Sequence, residues 1–255
     1  MKIACYSDLH FEFGHEFRVP RDVDADVLVL AGDIISFRDV RALSGFLVGW
    51  EKPVVYVAGN HEYYHGEMRT GRMTFREWVR AQLPHVRFLD NESAVIDGVR
   101  FFGGTMWTDF GGSEEMSMNY AEWRMNDFRC IRDGGELFSA KRSVELHALF
   151  REALERWLVD VVGQPSVIVT HHVPVRNPDT IHADSQLRHA FVCTDMQELV
   201  LKYSPSAWVY GHSHECGRHS LGKTRFVLNQ SGYYDKITGG FECSSFDPGG
   251  AVFEV

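Results

Sequence analysis

No two cysteines of this 255-residue chain form a C-x-x-C pair. The five present, Cys5, Cys130, Cys193, Cys216 and Cys243, are odd in number and far apart. That pattern argues against a disulfide framework and against a cysteine-built zinc site, and it points to reduced thiols. Basic residues are scarce as well: 26 Lys and Arg stand against 35 Asp and Glu, for a net charge of -9. General nucleic-acid binders and acidic-membrane binders need basic surface, so both classes are disfavoured. Long apolar runs are missing. The run from Val27 to Ile35 is cut by Asp33 and is far too short to span a bilayer. There is no internal repeat, low-complexity tract or linker, so a single domain over residues 1–255 is expected. The N-terminus enters a strand almost at once, which leaves no room for a signal peptide, and a cytoplasmic protein is the expectation.

What the chain does have is ordinary globular composition, 44% hydrophobic and 24% charged, and a set of short apolar runs that end in metal-binding residues. Ile3–Tyr6 leads to Asp8 and His10, and Val27–Ala31 leads to Gly32 and Asp33. Val54–Ala58 leads to Gly59-Asn60-His61-Glu62, and Val167–Thr170 leads to His171 and His172. Ala207–Tyr210 leads to Gly211-His212-Ser213-His214. Separate strands thus deliver Asp, Asn and His at their C-terminal ends, which is where open α/β sheets bind ligands.

Between the runs the pattern alternates. Ser36 to Asp39 has the form of a helix-capping box ahead of Val40, Leu43, Leu47 and Trp50 on one helical face. Thr74 to Glu77 and Thr194 to Gln197 repeat that start signal. Strongly apolar strands alternating with helices suggest a largely parallel, buried sheet. The middle differs. Residues 86–89, 93–96 and 99–102 read as short strands, with Asp97-Gly98 as a hairpin turn. A helix is expected over 140–162, with Leu146, Phe150, Leu154, Trp157 and Val161 facing inward. The stretch 105–139, rich in Met, Trp, Asn and Arg, has weak periodicity; it reads either as a cap over the strand ends or as an ordinary packed insertion.

The residue types suit divalent metals. Asp offers an anionic oxygen, His a neutral nitrogen and Asn an uncharged carbonyl oxygen. Two metals close together need an anionic bridge, and Asp33 is placed to be one. Gly32 permits a tight turn beneath it, and Gly59 and Gly211 are expected to serve Asn60 and His212 in the same way. In both Asp8-x-His10 and His212-x-His214, residues two apart on an extended chain point to one side.

The blocks Asp8-x-His10, Gly32-Asp33, Gly59-Asn60-His61-Glu62, His171 and Gly211-His212-Ser213-His214 together resemble the signature of the calcineurin-like metallophosphoesterase superfamily. The resemblance implies a four-layer α/β/β/α sandwich with two mixed β-sheets flanked by helices, in place of a single parallel sheet. It implies two divalent ions, manganese, iron or zinc. One would take Asp8, His10 and His214, the other Asn60, His171 and His212, with Asp33 as bridge. His61 would not be a ligand but a proton donor beside them. The implied activity is hydrolysis of a small phosphoester, such as a nucleotide, by metal-activated water. His172, Asn126 and Arg129 are candidate substrate contacts, and His65 a weaker one. His15, His85, His147, His182, His189 and His219 read as surface or structural. The chain departs from the protein Ser/Thr phosphatases, reading Ile34-Ile35-Ser36 where they carry Asp-Arg-Gly. It also has His61 where the lipid A pathway pyrophosphatases carry Arg. A non-catalytic scaffold on the same fold is disfavoured because no ligand is lost, and a nuclease is disfavoured by the net acidity.

Overall fold

A computed structural model describes residues 1–177 and 185–255. The strands of its two large sheets are β1 (Lys2–Tyr6), β2 (Val27–Ala31), β3 (Val54–Val57), β4 (Val86–Phe88), β5 (Glu92–Ile96) and β6 (Val99–Gly104), followed by β7 (Ser166–Thr170), β8 (Ala207–Val209), β9 (Cys216–Leu221), β10 (Thr224–Asn229) and β11 (Phe253–Glu254). The first sheet has five strands in the order β11-β1-β2-β3-β4, and the second has six in the order β9-β10-β8-β7-β6-β5. In the first, β1 to β4 run parallel and β11 pairs antiparallel with β1. In the second, β10, β8, β7 and β6 run parallel while the edge strands β9 and β5 are antiparallel.

The alternation of side chains along each strand builds the layers. Ile3, Cys5, Val27, Val29, Val55 and Val57 of the first sheet meet Phe101, Val167, Val169, Val209 and Val227 of the second in a core between the sheets. The opposite parity in the first sheet, Ala4, Tyr6, Leu28, Leu30 and Tyr56, packs under helices α1 (Arg41–Phe46) and α2 (Met68–Gln82). On the far side, Phe102, Ile168, Trp208 and Phe226 pack under α4 (Ala140–Val161) and α5 (Gln197–Tyr203); α3 (Glu115–Arg124) precedes α4 in sequence. This is the four-layer sandwich of two mixed sheets; the single parallel sheet drawn from strand–helix alternation is only its first half.

Local start signals fared unevenly. The Asp97-Gly98 hairpin forms, with both residues at positive φ of 45° and 83°. The long helix starts at Ala140, where the Ser139 hydroxyl accepts from the Arg142 amide at 3.1 Å. Leu146 and Trp157 are only partly buried, whereas Phe150, Leu154 and Val161 are buried. The three capping boxes do not cap. The Ser36 segment closes a tight Ser36–Asp39 bridge, and α1 begins only at Arg41. Thr74 lies inside α2, which Glu67 caps by accepting from the Thr70 amide at 2.7 Å. Thr194 gives both its amide and its hydroxyl to Asp109, and α5 begins at Gln197. A tertiary partner, Asp109, displaced the local one at Thr194, whereas the other two boxes gave way to other local pairings.

Trp107, Phe110, Phe128, Ile131 and Phe138 are buried in the core outside the first sheet. The turn from Arg124 to Asp127 instead reaches the cavity at the strand ends.

Candidate metal centre

Three of the five ligand blocks leave their strands with unusual backbone geometry. Asp8, His10, Asp33, His212 and His214 all have positive φ, between 49° and 73°. Non-glycine residues adopt this left-handed region at an energetic cost and do so mainly at functional sites. Gly32, at φ 85°, makes the turn before Asp33 as expected. Gly59 and Gly211 have no positive φ, so the expectation of a tight turn fails for them. Their reason is closeness: a Cβ on Gly59 would overlap the Asp33 carboxylate, and one on Gly211 would stand 2.7 Å from Asp8 Oδ2. Strand ends from both sheets meet too tightly here for a side chain.

Glu62, whose block was legible but whose role was not, ties the ends of β2 and β3 together. Its buried carboxylate accepts from the amides of Asp33 (2.9 Å), Ile34 (2.9 Å) and Gly59 (2.7 Å), and from the Tyr56 hydroxyl (2.5 Å). Burial and the nearby Asp33 charge raise its pKa to about 7.

The candidate ligands converge into two groups, and a third set that overlaps them, His10, Asp33 and His61, also offers atoms within 4.8 Å of one another. In the first, Asp8, His10 and His214 offer atoms within 4.8 Å of one another, and in the second Asp33, His171 and His212 do the same. Asn60 joins the second group, its Oδ1 lying 2.9 Å from His171 Nε2. Asp33 Oδ2 stands between the groups, 3.8 Å from His10 Nε2 and 3.4 Å from His171 Nε2. Its Oδ1 accepts from the His61 amide at 2.8 Å.

The polar partners on the far side of each ligand show what the near side offers. His10 Nδ1 faces Glu12 at 3.0 Å and His214 Nδ1 faces Glu242 at 2.7 Å. A carboxylate only accepts, so both Nδ1 atoms donate, and the lone pairs of the two Nε2 atoms face each other at 3.2 Å. His171 Nδ1 donates to the Ala31 carbonyl at 3.0 Å, turning its Nε2 lone pair toward Asn60 Oδ1. Asn60 in turn spends its amide Nδ2 on Asp127 at 2.9 Å, which leaves its oxygen directed inward. Buried His212 Nε2 has no hydrogen-bond partner among the described residues. With the rings neutral, the form that binds metal, acceptor meets acceptor across the centre, an arrangement that repels unless a proton or a metal cation lies within it, and outer partners that orient metal-binding histidines have this form. The donor set fits divalent metals.

The charge balance agrees. Burial would raise the Asp33 pKa, but His171, His61 and His10 outweigh it and hold the carboxyl well below its usual range. Burial would lower His171 and His61, but Asp33 raises each to about 9, helped at His61 by Glu12. A negative field that holds protons on these rings also attracts a metal cation. His212 is pushed down by burial and by His172 and His171.

A cavity of about 320 Å³ opens over this floor, lined among others by Asp33, Asn60, His61, Tyr64, Arg124, Asn126, Tyr233 and Glu242. His61 stacks on Tyr64 with centroids 4.1 Å apart. Of the candidate substrate contacts, Asn126 lines the cavity and the other two do not. Arg129 gives its guanidinium to the Trp123 carbonyl, and Arg124 is the arginine at the cavity. His172 is buried beneath the floor, its ring 4.3 Å from His212 and its Nδ1 3.2 Å from the Thr105 carbonyl. Burial and His171 push its pKa to about 3, so it stays neutral. His65 is exposed and off the cavity lining, as are His15, His85, His189 and His219 from the lining alone; His147 is buried, and His182 lies outside the described residues. Glu12, Glu242, Tyr233 and the role of Asp127 have no signal in the sequence, because each acts through a partner distant along the chain. Asp127 is 67 residues from Asn60 and Glu12 is 49 from His61.

Comparison with known proteins is consistent with this geometry. Residues 1–216 match the family model for calcineurin-like phosphoesterases, and the chain belongs to that family. A UPF0046 protein of Caenorhabditis elegans is 26% identical over 239 residues, covering 89% of this chain and 68% of that protein. An uncharacterized protein of Acanthamoeba polyphaga mimivirus is 24% identical over 195 residues, covering 71% and 68%. Among solved structures, the phosphopantetheinyl hydrolase PptH of Mycobacterium tuberculosis superposes with a TM-score of 0.71 at 17% identity, covering 91% of this chain and 89% of that one. A dimetal phosphatase of Danio rerio gives 0.53 at 15% identity, covering 89% and 86%. At these identities the structures speak for the fold alone. No helix among the described residues is long and apolar enough to cross a membrane.

Proposed function

We propose that this chain hydrolyses a small phosphoester, such as a nucleotide, in the cytoplasm, with two divalent ions of manganese, iron or zinc. The observation that carries this reading is the convergence of mutually facing acceptor atoms on the two sides of Asp33. Asp8, His10 and His214 would hold one ion, Asn60, His171 and His212 the other, and Asp33 would lie between. Bound there, the ions lower the pKa of a water, orient the phosphate and neutralise charge.

The residues of the chain do the rest. His61 stands at the cavity with Nδ1 engaged by Glu12 at 2.9 Å, which leaves Nε2 for the substrate. As a water oxygen bonds to phosphorus and the ester P–O bond breaks, His61 Nε2 gives its proton to the leaving oxygen. The proton released by the attacking water restores the ring. Arg124 and Asn126 at the cavity offer donors to the phosphate or its substituent. The net charge of -9 speaks against nucleic acid as substrate.

The test is a turnover screen of p-nitrophenyl phosphate and bis(p-nitrophenyl) phosphate with Mn²⁺, Fe²⁺, Zn²⁺, Ni²⁺ and Co²⁺, alongside elemental analysis of the protein as isolated. Turnover with metal bound supports the reading. No turnover with any ion, together with less than one bound metal per chain, sinks it.

A further inference from the structure

Glu12 belongs to no ligand set, yet it touches both halves of the proposed chemistry. It follows His10 in a short helical turn, Phe11–Phe13, closed by Gly14 at φ 78°. The turn is anchored from below: the His10 amide donates to the Asp33 carbonyl at 2.9 Å and the Phe11 amide to the Ile34 carbonyl at 3.0 Å. Its backbone runs along the surface, but the Glu12 side chain folds back and is only 18% exposed. One oxygen, Oε1, receives both rings: His61 Nδ1 at 2.9 Å and His10 Nδ1 at 3.0 Å.

This has a stereochemical consequence. An ionised carboxylate offers no proton, so each Nδ1 must carry the hydrogen it shares with Glu12. The tautomer and the ring plane of His61 are then both settled. The face of the ring rests on Tyr64, whose hydroxyl is itself held by Asp127 at 2.5 Å. Its other neighbour is the His10 ring, 4.5 Å away and nearly edge-on. Only Nε2 remains for a leaving group. The segment after Gly32-Asp33, Ile34-Ile35-Ser36, brings no carboxylate to this nitrogen.

We infer that Glu12 is a positioning residue that holds His61 with Nε2 toward the leaving-group oxygen, and that the same oxygen atom ties this proton donor to the metal ligand His10. This inference rests on the proposed phosphoester hydrolysis. Loss of Glu12 should therefore hurt in a particular way. A substrate whose leaving group departs without a proton, such as p-nitrophenyl phosphate, should be affected less than phenyl phosphate, whose leaving oxygen needs one. A residue that merely supported the metal would slow both alike.

The test compares Glu12→Gln and Glu12→Ala with wild type and with Glu242→Ala. Glu242 holds His214 as Glu12 holds His10, yet among the described residues no hydrogen bond or ion pair joins it to His61. Expected for both Glu12 variants is a fall in kcat about tenfold or more larger for phenyl phosphate than for p-nitrophenyl phosphate, within the roughly 10²–10⁴-fold range of general acid catalysis. KM should change little. Glu242→Ala should lower both substrates equally. A second readout needs no turnover: long-range ¹H–¹⁵N spectra of ¹⁵N-histidine protein, with His61 signals identified by their loss in His61→Ala. The neutral His61 ring should carry its proton on Nδ1 in wild type and shift toward Nε2 in Glu12→Ala. Equal slowing of both substrates by a well-folded Glu12→Gln, or an unchanged His61 tautomer in Glu12→Ala, overturns the inference. If wild type shows no turnover with any metal, the hydrolase reading fails, and the tautomer spectra still decide whether Glu12 orients the ring.

Discussion

On the His10 and His214 side of the centre the rings are held by two side-chain carboxylates, Glu12, 18% exposed, and Glu242, 50% exposed. On the His171 and Asn60 side the holders are the Ala31 carbonyl at the end of β2 and the buried Asp127. The first half rests on loops after β1 and around Tyr233, and the second on strand ends pressed together at Gly32 and Gly59. The contrast lies in the holders and teaches that the two groups of candidate ligands are fixed differently: one by a strand carbonyl and a buried carboxylate, the other by the partly exposed side chains of Glu12 and Glu242.

Four experiments probe the difference between the two sides. The largest effect is expected from Asp33→Asn, which removes the one group both halves share. Turnover should fall to background and metal content to one ion per chain or fewer, measured by elemental analysis; two retained ions would mean the halves stand independently. His61→Ala should come next, with kcat lower by roughly 10²–10⁴-fold and metal content intact. If metal is lost in parallel, His61 belongs to a ligand set and not to the proton chemistry.

The halves themselves are separated by Glu242→Ala and Asp127→Asn. Each should cost roughly 10–100-fold in metal affinity or activity, the usual effect of removing an outer partner. Graded chelation of wild type should remove one ion well before the second, and Glu242→Ala should lose that first ion at lower chelator while Asp127→Asn weakens the second. Simultaneous release of both ions in every protein would contradict two halves that are fixed differently.

The smallest effect lies away from both. Buried His147 pairs with Asp195 at 2.9 Å and sits 3.6 Å from Cys193. Burial would lower its pKa from the usual 6.5, but Cys193 and Asp195 raise it to about 11. A raised folded value means that the pairing stabilises fully below pH 6.5 and is lost as pH rises toward about 11. The urea midpoint of wild type over His147→Gln should therefore be highest near neutral or lower pH and shrink on the alkaline side, with a difference of about 1.5–3 kcal/mol for a charged hydrogen bond. Metal content should not change, and a change would mean that this pair supports the centre after all.

Much of the centre was legible in the chain. Apolar runs ending in Asp, Asn and His marked the strand ends, and the i, i+2 spacing of Asp8 with His10 and of His212 with His214 put pairs on one side. The strand parity of Ile3 and Cys5 against Ala4 and Tyr6 carried the layers. Three capping boxes misled: Asp109 claimed Thr194 from far along the chain, Glu67 started its helix seven residues before Thr74, and Ser36 closed a local bridge with Asp39. Arg129 was misplaced for a similar reason. Spacing within a weakly periodic stretch does not say which arginine turns inward, and it is Arg124 that lines the cavity.

By itself the sequence determined the inventory: which strands exist, which ligands end them, and that no cysteine or basic surface competes with them. These are local or periodic properties, written in neighbouring residues. Tertiary structure alone decided which atoms of those ligands face one another. That outcome depends on Glu12, Glu242 and Asp127 claiming the opposite sides of His61, His214 and Asn60. Hydrogen bonds between residues far apart along the chain exist only once two sheets have packed, and no spacing in the chain encodes them.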